Sequence, residues 1–421
     1  VKISAFRGYR HRGGRGRDVS AVVAPPYDQI TPEMQARLHA MSPDNIVRIT
    51  LPAGPGDGGS VGGGEVGEGH PTVYRHAREA LDRWLADGAW AREDRPALYP
   101  YEQTYAVGGA VITRRGFIAL GAVTEYGDKI VLPHERTHSG PKQDRMRLLE
   151  ATGADVGLLF MLVPDPDGEL LAATAPAGPP IAEARDLKGE QHRLWRITDA
   201  GVIEGVRAMM APRWTIIADG HHRYETAVEY ARRHPEASDK LMAFFTLEAP
   251  GLTILPNHRL VHHVDGFALD DLVRRASPWF DAAPLADPPA FRPQNRRIGV
   301  VTRDRAVVLT LRDDGLDAIA WPAATSRAWR ALAVSILHEG LLRPLLDITD
   351  AKLDARSHVD YTADQAEAIR LAREGGCQAA FLIAPTTPDE LQAVVRGGEL
   401  MPQKSTHFYP KLLDGLVLYR Y

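Results

Sequence analysis

Five consecutive residues, Asp219-Gly220-His221-His222-Arg223, constrain the fold more than any other part of the chain. They follow a short apolar run at residues 214–218 and precede a segment, 223–233, that reads as helix. An extended apolar stretch that passes through Asp-Gly straight into a helix predicts a strand, a tight turn and a helix start. Glycine at the corner allows a positive φ or close backbone approach. The first turn of a helix leaves several backbone N–H groups without partners inside the helix. With the positive end of the helix dipole behind them and His221, His222 and Arg223 alongside, the guest expected there is a phosphate. Asp219 is placed to hold a metal or fix a histidine. The plainer alternative is a polar turn whose histidines are simply hydrogen-bonded.

Around this turn the pattern is that of an α/β protein. Thr31 followed by Pro32 makes an N-cap and first helical residue for a helix through Met41, after an apolar run at 19–24 read as a strand. Residues 45–51 read as another strand, and the glycine-rich stretch 54–69 as a surface loop. Apolar spacing through Val73, Ala77, Leu81, Trp84 and Leu85 predicts a helix ending at Gly88. Strands are expected at 117–123, 156–163, 241–247 and 253–260, and helices at 143–152 and, capped by Asp199, up to Met210. From about Asp265 the pattern restarts with a helix, strands at 298–302 and 306–311, a helix at 326–338 and a strand at 379–384. This places a boundary between residues 1–264 and 265–421. No internal repeat is visible.

A chain of 421 residues exceeds one simple core, and 44% apolar with 25% charged residues is ordinary globular composition. The formal net charge of -4 argues against general attraction to nucleic acid. The single cysteine, Cys377, excludes an internal disulfide or a multi-cysteine metal site and suits the cytoplasm. No run of about 18 apolar residues is present to span a bilayer, and the first seventeen residues, with five arginines between Arg7 and Arg17, lack the apolar stretch of a secretion signal.

IADGHHRYETA is similar to the glycine-basic turn that opens a helix in the ParB and sulfiredoxin-like superfamily, which includes chromosome-segregation CTPases and free-serine kinases. The chain as a whole is identified as a member of the bacterial family catalogued as domain of unknown function 1015. The segments that carry this are AVVAPPYDQITPEM, NIVRITLP, YEQTY, VLPHERT, ADGHHRYETA, ILPNHRLV, LHEGLLRPLL and MPQKSTHFYPKL. The superfamily resemblance implies a ParB/sulfiredoxin-like core with a large insertion and a second, C-terminal α/β domain contributing to the cleft. It implies that Gly220, His221, His222 and Arg223 grip nucleotide phosphates, with Asn45 and Arg48 on a neighbouring strand as helpers. Unlike the DNA-binding relatives, this chain lacks a basic balance and a recognisable helix-turn-helix, which leaves phosphoryl transfer to a small molecule.

The expectation is therefore a kinase that moves phosphate from ATP, ADP or CTP, with magnesium, to the hydroxyl of a serine-like free amino acid or related metabolite. Such chemistry needs neutralised phosphate oxygens, aligned reactants and a base. Candidate carboxylates are Asp28, Glu135 and Asp219, with Glu225 less clearly placed. A nucleotide-gated binding protein or slow ParB-type NTPase is the alternative, and homo-oligomerisation is left open. His134-Glu135-Arg136-Thr137-His138 satisfies H-E-x-x-H, the zinc-hydrolase pattern. Pro133 before it and Ser139-Gly140-Pro141 after it leave room for barely one helical turn, so His134, Glu135 and Arg136 are read instead as loop residues at the substrate site. GELMPQKS at 398–405 falls one residue short of a Walker A pattern and lacks the strand–loop–helix order that pattern needs. Lys404, Ser405 and Thr406 are retained as substrate contacts.

Overall fold

In the computed structural model, residues 1–13, 18–52, 71–137 and 139–421 are described. The loop expected at 54–69, the end of the arginine-rich stretch and His138 lie outside the described residues. The chain forms two compact units. The first comprises Val1–Pro133, Thr137–Leu252 and Pro410–Tyr421; the second comprises His134–Arg136 and Thr253–Tyr409.

The first unit is built on a mixed nine-stranded sheet. Its strands in chain order are β1 (Ile3–Ser4), β2 (Tyr99–Val107), β3 (Ala110–Ala122), β4 (Val131–Leu132), β5 (Leu159–Val163), β6 (Ala182–Arg185), β7 (Gln191–Leu194), β8 (Thr215–Asp219) and β9 (Asp239–Thr246). The spatial order is β4-β8-β5-β9-β3-β2-β7-β6, with β1 on β3. β5 and β9 run parallel, and β8 runs antiparallel to β5. LFMLV in β5 has no polar alternation because every residue is buried, as both-face burial requires. Phe244 in β9 stacks on Phe117 in β3 with ring centroids 5.4 Å apart, in a core shared with Met161, Ile217 and Tyr224.

Helices follow their local signals. In α1 (Pro32–Met41), Thr31 Oγ1 accepts from Met34 N, and in α4 (Ala200–Met210) Asp199 accepts from Val202 N. Between these lie α2 (Pro71–Ala86) and α3 (Ser139–Thr152), and α5 (His221–Arg233) follows β8. α2 buries Val73, Ala77, Leu81 and Trp84, and Trp84 stacks on Trp90 at 5.8 Å. The closing segment also belongs here: Tyr419 pairs with Asp155, and Leu418 N donates to Tyr9 O.

Two expected strands are absent. Residues 45–51 form a helical turn, Val47–Thr50, because Asn45 Oδ1 accepts from Val47 N while its amide donates to Ala21 O and Val23 O. The β-branched run suggested extension, and that side chain overrides it. Residues 19–24 are mostly turn, with one bridge from Ala24 to Asp414.

The second unit holds an antiparallel six-stranded sheet. Its strands are β10 (His258–Val261), β11 (Phe280–Pro284), β12 (Arg297–Val301), β13 (Ala306–Leu311), β14 (Val359–Thr362) and β15 (Ala379–Leu382), in the order β11-β13-β12-β15-β10-β14. The strand expected at 253–260 is two pieces: Thr253–Leu255 pairs with His407–Tyr409, while β10 joins the six-stranded sheet. The helix expected at 326–338 breaks at Leu332, whose ψ of 136° is extended, and a π-helical turn follows at His338–Leu342. No helix among the described residues is long and apolar enough to cross a membrane.

Removing the Phe244 ring should open a cavity at the centre of the larger sheet. Phe244→Ala is expected to lower stability by about 3–5 kcal/mol, read as a lower urea midpoint for the transition of the first unit. A change below about 1 kcal/mol would contradict this placement of the core.

Candidate functional site

β8 ends at Asp219 after a register shift against β5 between Ile217 and Asp219. Gly220 then turns the chain with φ 102° and ψ 29°, and α5 begins at His221. The backbone angle demands glycine, and a Cβ there would also lie 2.7 Å from Leu159 Cδ2 and 3.1 Å from the Arg223 guanidinium carbon, so those side chains would have to give way. No side chain caps this thirteen-residue helix. Tyr224 N bonds to Gly220 O at 2.9 Å, the first intrahelical hydrogen bond of α5. The expected strand, turn and helix start are all present.

Asp219 anchors the corner. Its Oδ2 accepts from Arg223 Nη2 at 2.7 Å and its Oδ1 accepts from Lys411 Nζ at 2.9 Å. Burial would raise the carboxyl's pKa, but Lys411 and Arg223 outweigh that and hold it well below the usual carboxylate range. A carboxylate this firmly ionised is a poor proton acceptor, so its role is to position two cations.

Arg223 is buried, and its second terminal nitrogen donates to Leu158 O. It faces inward onto a cavity of about 50 Å³ that Lys240, Asp155, Asp414 and Arg145 also line. Lys240 pairs with Asp155, and Arg145 lies 4.0 Å over the Tyr27 ring. Nucleotide sites are usually several hundred Å³. The guanidinium therefore braces the turn from behind rather than projecting from it. His221 is buried, His222 half-buried.

The exposed Asp28 acts electrostatically on both Arg223 and Asp414. Asn45 and Arg48 are used differently. Asn45 is fully buried with its amide committed to backbone, and Arg48 Nη2 donates to His39 O at 2.8 Å. Glu225 accepts from Lys142 Nζ at 2.8 Å and Thr137 Oγ1 at 2.7 Å. It lines a cleft of about 640 Å³ with Tyr126, Lys142, Arg147 and Arg232, a cleft whose lining includes none of residues 219–223.

In the second unit, other expected residues come together. His134 Nε2 bonds Thr406 Oγ1 at 2.8 Å, and Glu135 accepts from Lys404 N at 3.1 Å. Asn257 donates to Lys404 O and Thr406 O, Thr386 donates to Ser405 O, and Ser405 Oγ donates to Pro402 O. Arg136 is exposed. Residues 134–137 carry no helix, and the helix after them starts only at Ser139. The helix face that zinc hydrolases use to present two histidines is therefore lacking from the described part of H-E-x-x-H.

Three functional candidates escaped the sequence reading: Lys411, Asp414 and Lys240. Lys411 lies near the end of MPQKSTHFYPKL and Asp414 two residues beyond it, but only the fold brings them to Asp219 and Arg223. Asp414 is buried, accepts from Leu158 N at 3.1 Å, and is pushed up to about 6 by burial despite Arg223 and Lys240.

That value sets a pH dependence. The folded pKa lies above the unfolded value of about 3.9, so the folded state binds the extra proton between about pH 4 and 6. Asp414 thus makes stability fall as pH rises through that window, at a slope approaching about 1.4 kcal/mol per pH unit. Asp219 acts oppositely: its stabilisation is present above about pH 4 and fades as acid protonates it. Denaturation of Asp414→Asn at pH 4, 5, 6 and 7 should show the downward slope between pH 4 and 6 removed. An unchanged slope would show that Asp414 is ionised throughout.

A search of curated proteins returns no significant match. Among solved structures, a conserved hypothetical protein from Pyrococcus furiosus shares 12% identity and a TM-score of 0.36, over 68% of this chain and 90% of that one. A free serine kinase in complex with AMP has the same identity and TM-score over 68% and 88%. SbnI with C-terminal truncation from Staphylococcus aureus has 13% identity and TM-score 0.36 over 70% and 85%. At these scores the likenesses carry no inference about activity. The family comparison is of another kind, since the model described as "Protein of unknown function (DUF1015)" matches residues 3–335, well over half of the sequence. The chain belongs to the DUF1015 family.

Proposed function

We propose that this protein is a small-molecule phosphotransferase with a ParB/sulfiredoxin-like core, binding ATP, ADP or CTP with its phosphates against the turn at residues 220–223. One observation carries the reading: a helix that starts directly behind a left-handed glycine, with Lys411 and Arg223 both bonded to the carboxylate at the corner. Aligned amides and the helix dipole attract an anion there, and the glycine lets phosphate oxygens approach the backbone. The resemblance of ADGHHRYETA to the nucleotide-gripping turn supports the same assignment.

Amides of the first turn of α5, His222 and Lys411 face the phosphates, while Arg223 holds Asp219 and the turn in place. Asp28, exposed and electrostatically tied to Arg223, is the base that takes the proton from the acceptor hydroxyl. Magnesium, held mainly by the phosphates and water, supplies charge neutralisation when bound. The acceptor is a small hydroxyl compound of the serine type.

Calorimetry with magnesium and ATP, ADP or CTP, followed by mass spectrometry of mixtures with hydroxy amino acids, tests this reading. A phosphorylated product is expected from at least one pair. Gly220→Ala should weaken nucleotide binding at least about 10-fold, a loss of about 1.4 kcal/mol. Asp28→Asn should keep binding and lower turnover by roughly 100-fold. Absence of nucleotide binding would overturn the proposal, and tight binding with slow hydrolysis unaffected by any acceptor would favour a nucleotide-gated binding protein.

A further inference from the structure

The hairpin joining β6 to β7 carries a cluster that the phosphate site does not use. Its loop, Asp186-Leu187-Lys188-Gly189-Glu190, closes with Asp186 N donating to Glu190 O at 3.1 Å and Gly189 N donating to Asp186 O at 3.0 Å. Asp186 and Glu190 therefore face each other across the turn. His192 lies two residues beyond Glu190 on β7, so the strand's two-residue period puts both side chains on one face. As a result, one ligand atom from each of Asp186, Glu190 and His192 lies within 4.8 Å of the other two. Among the described residues this is the one group of three such side chains that close together.

The independent sign of a ligand is His192. Its ring is fully buried, and Nε2 has no hydrogen-bond partner. That nitrogen points at Asp186 Oδ2 from 3.8 Å, too far for a hydrogen bond. Leaving a buried imidazole nitrogen unsatisfied costs about 1–3 kcal/mol. The other nitrogen, Nδ1, lies 2.6 Å from the Tyr101 hydroxyl. When Nδ1 carries the proton and donates it to Tyr101, Nε2 presents its lone pair to the cluster, the tautomer that metal-binding histidines take. Asp186 is similarly prepared. Its Oδ1 accepts from Lys188 N and Glu190 N, each at 2.9 Å, which fixes the carboxylate and leaves Oδ2 toward His192.

We propose that Asp186, Glu190 and His192 form a binding site for one divalent transition-metal ion, with zinc the best fit. One imidazole and two carboxylates suit a borderline ion bound at about 2.0–2.2 Å. Tetrahedral ligands at that distance sit about 3.4 Å apart, so His192 Nε2 and Asp186 Oδ2, at 3.8 Å, need close by only about 0.4 Å, and no pair in the cluster by more than about 1.4 Å. Two of the three residues are buried and Asp186 is half-buried, which gives a nearly closed site with one rim open to solvent. The opposing influence is Arg114, a buried cation that acts electrostatically on both Glu190 and His192. The metal's function is structural. Tyr101 also accepts from Leu413 N, and Gln103 Nε2 donates to Lys411 O at 2.9 Å, so the shell around His192 continues into the segment that delivers Lys411 to Asp219.

The full chain, stripped with chelator and titrated with zinc, manganese and magnesium chlorides by calorimetry, tests this. One equivalent of zinc is expected, bound more tightly than manganese or magnesium, with a rise in melting temperature on loading. His192→Gln and Asp186→Asn should each weaken that binding at least about 100-fold, whereas His263→Ala, at a separate exposed histidine, should leave it unchanged. Absence of stoichiometric zinc binding, or binding retained in either of the first two variants, would overturn the proposal. Far-UV circular dichroism checks that the variants are folded; where His192→Gln is not, the result for Asp186→Asn decides alone.

Discussion

The carboxylate of Asp219, shared between Arg223 and Lys411, is the interaction on which the candidate site depends. It ties the end of a strand and the third position of the following helix to a segment almost two hundred residues later that has no local reason to meet them. Each cation alone would be costly to bury, and together with one carboxylate they satisfy a geometry that removal of any member would leave uncompensated. Because Asp219 is held ionised, the corner keeps a fixed charge arrangement over the physiological pH range. Such preorganisation is what an anion site requires, since donors that are already in place need no rearrangement when the anion arrives.

Behind this corner lies an unusual concentration of buried charge. Arg145, Arg223, Lys240, Asp155 and Asp414 surround a cavity of about 50 Å³. The acids do not share the burden equally. Asp155 pairs with Lys240 and accepts from Leu241 N, while Asp414 has one backbone donor and is pushed up to about 6. A core filled with ionic groups where apolar ones would pack more stably is often retained because it serves position or switching rather than stability. Here the buried charges brace the glycine turn from the inside, and Arg223 is part of that brace.

Much of this was legible from local sequence. Thr31-Pro32, Asp199 and the 214–233 segment announced their caps, strand and helix because the deciding interactions lie within a few residues. Residues 45–51 misled because the β-branched run invites a strand, whereas the Asn45 amide reaches back to residues 21 and 23 and sets a helical turn. The direction of Arg223 was equally hidden: its position on the helix was plain, but Leu158 O, which turns it inward, is supplied by a distant strand entry. Lys411 lay in a family segment that gave it no role, and Asp414 carried no motif. Asp186, Glu190 and His192 were unreadable for another reason, since their spacing becomes a cluster only once residues 186–190 are known to be a hairpin loop.

The most direct test of the central claim is amide NMR of the isotopically labelled full chain during titration with magnesium and ADP. Saturable shifts concentrated at Gly220, His221, His222 and Arg223, with the Lys411 side chain responding in step, are the predicted result. If nucleotide perturbs other regions while these amides stay unmoved at saturation, the anion does not sit at this corner and the account is wrong.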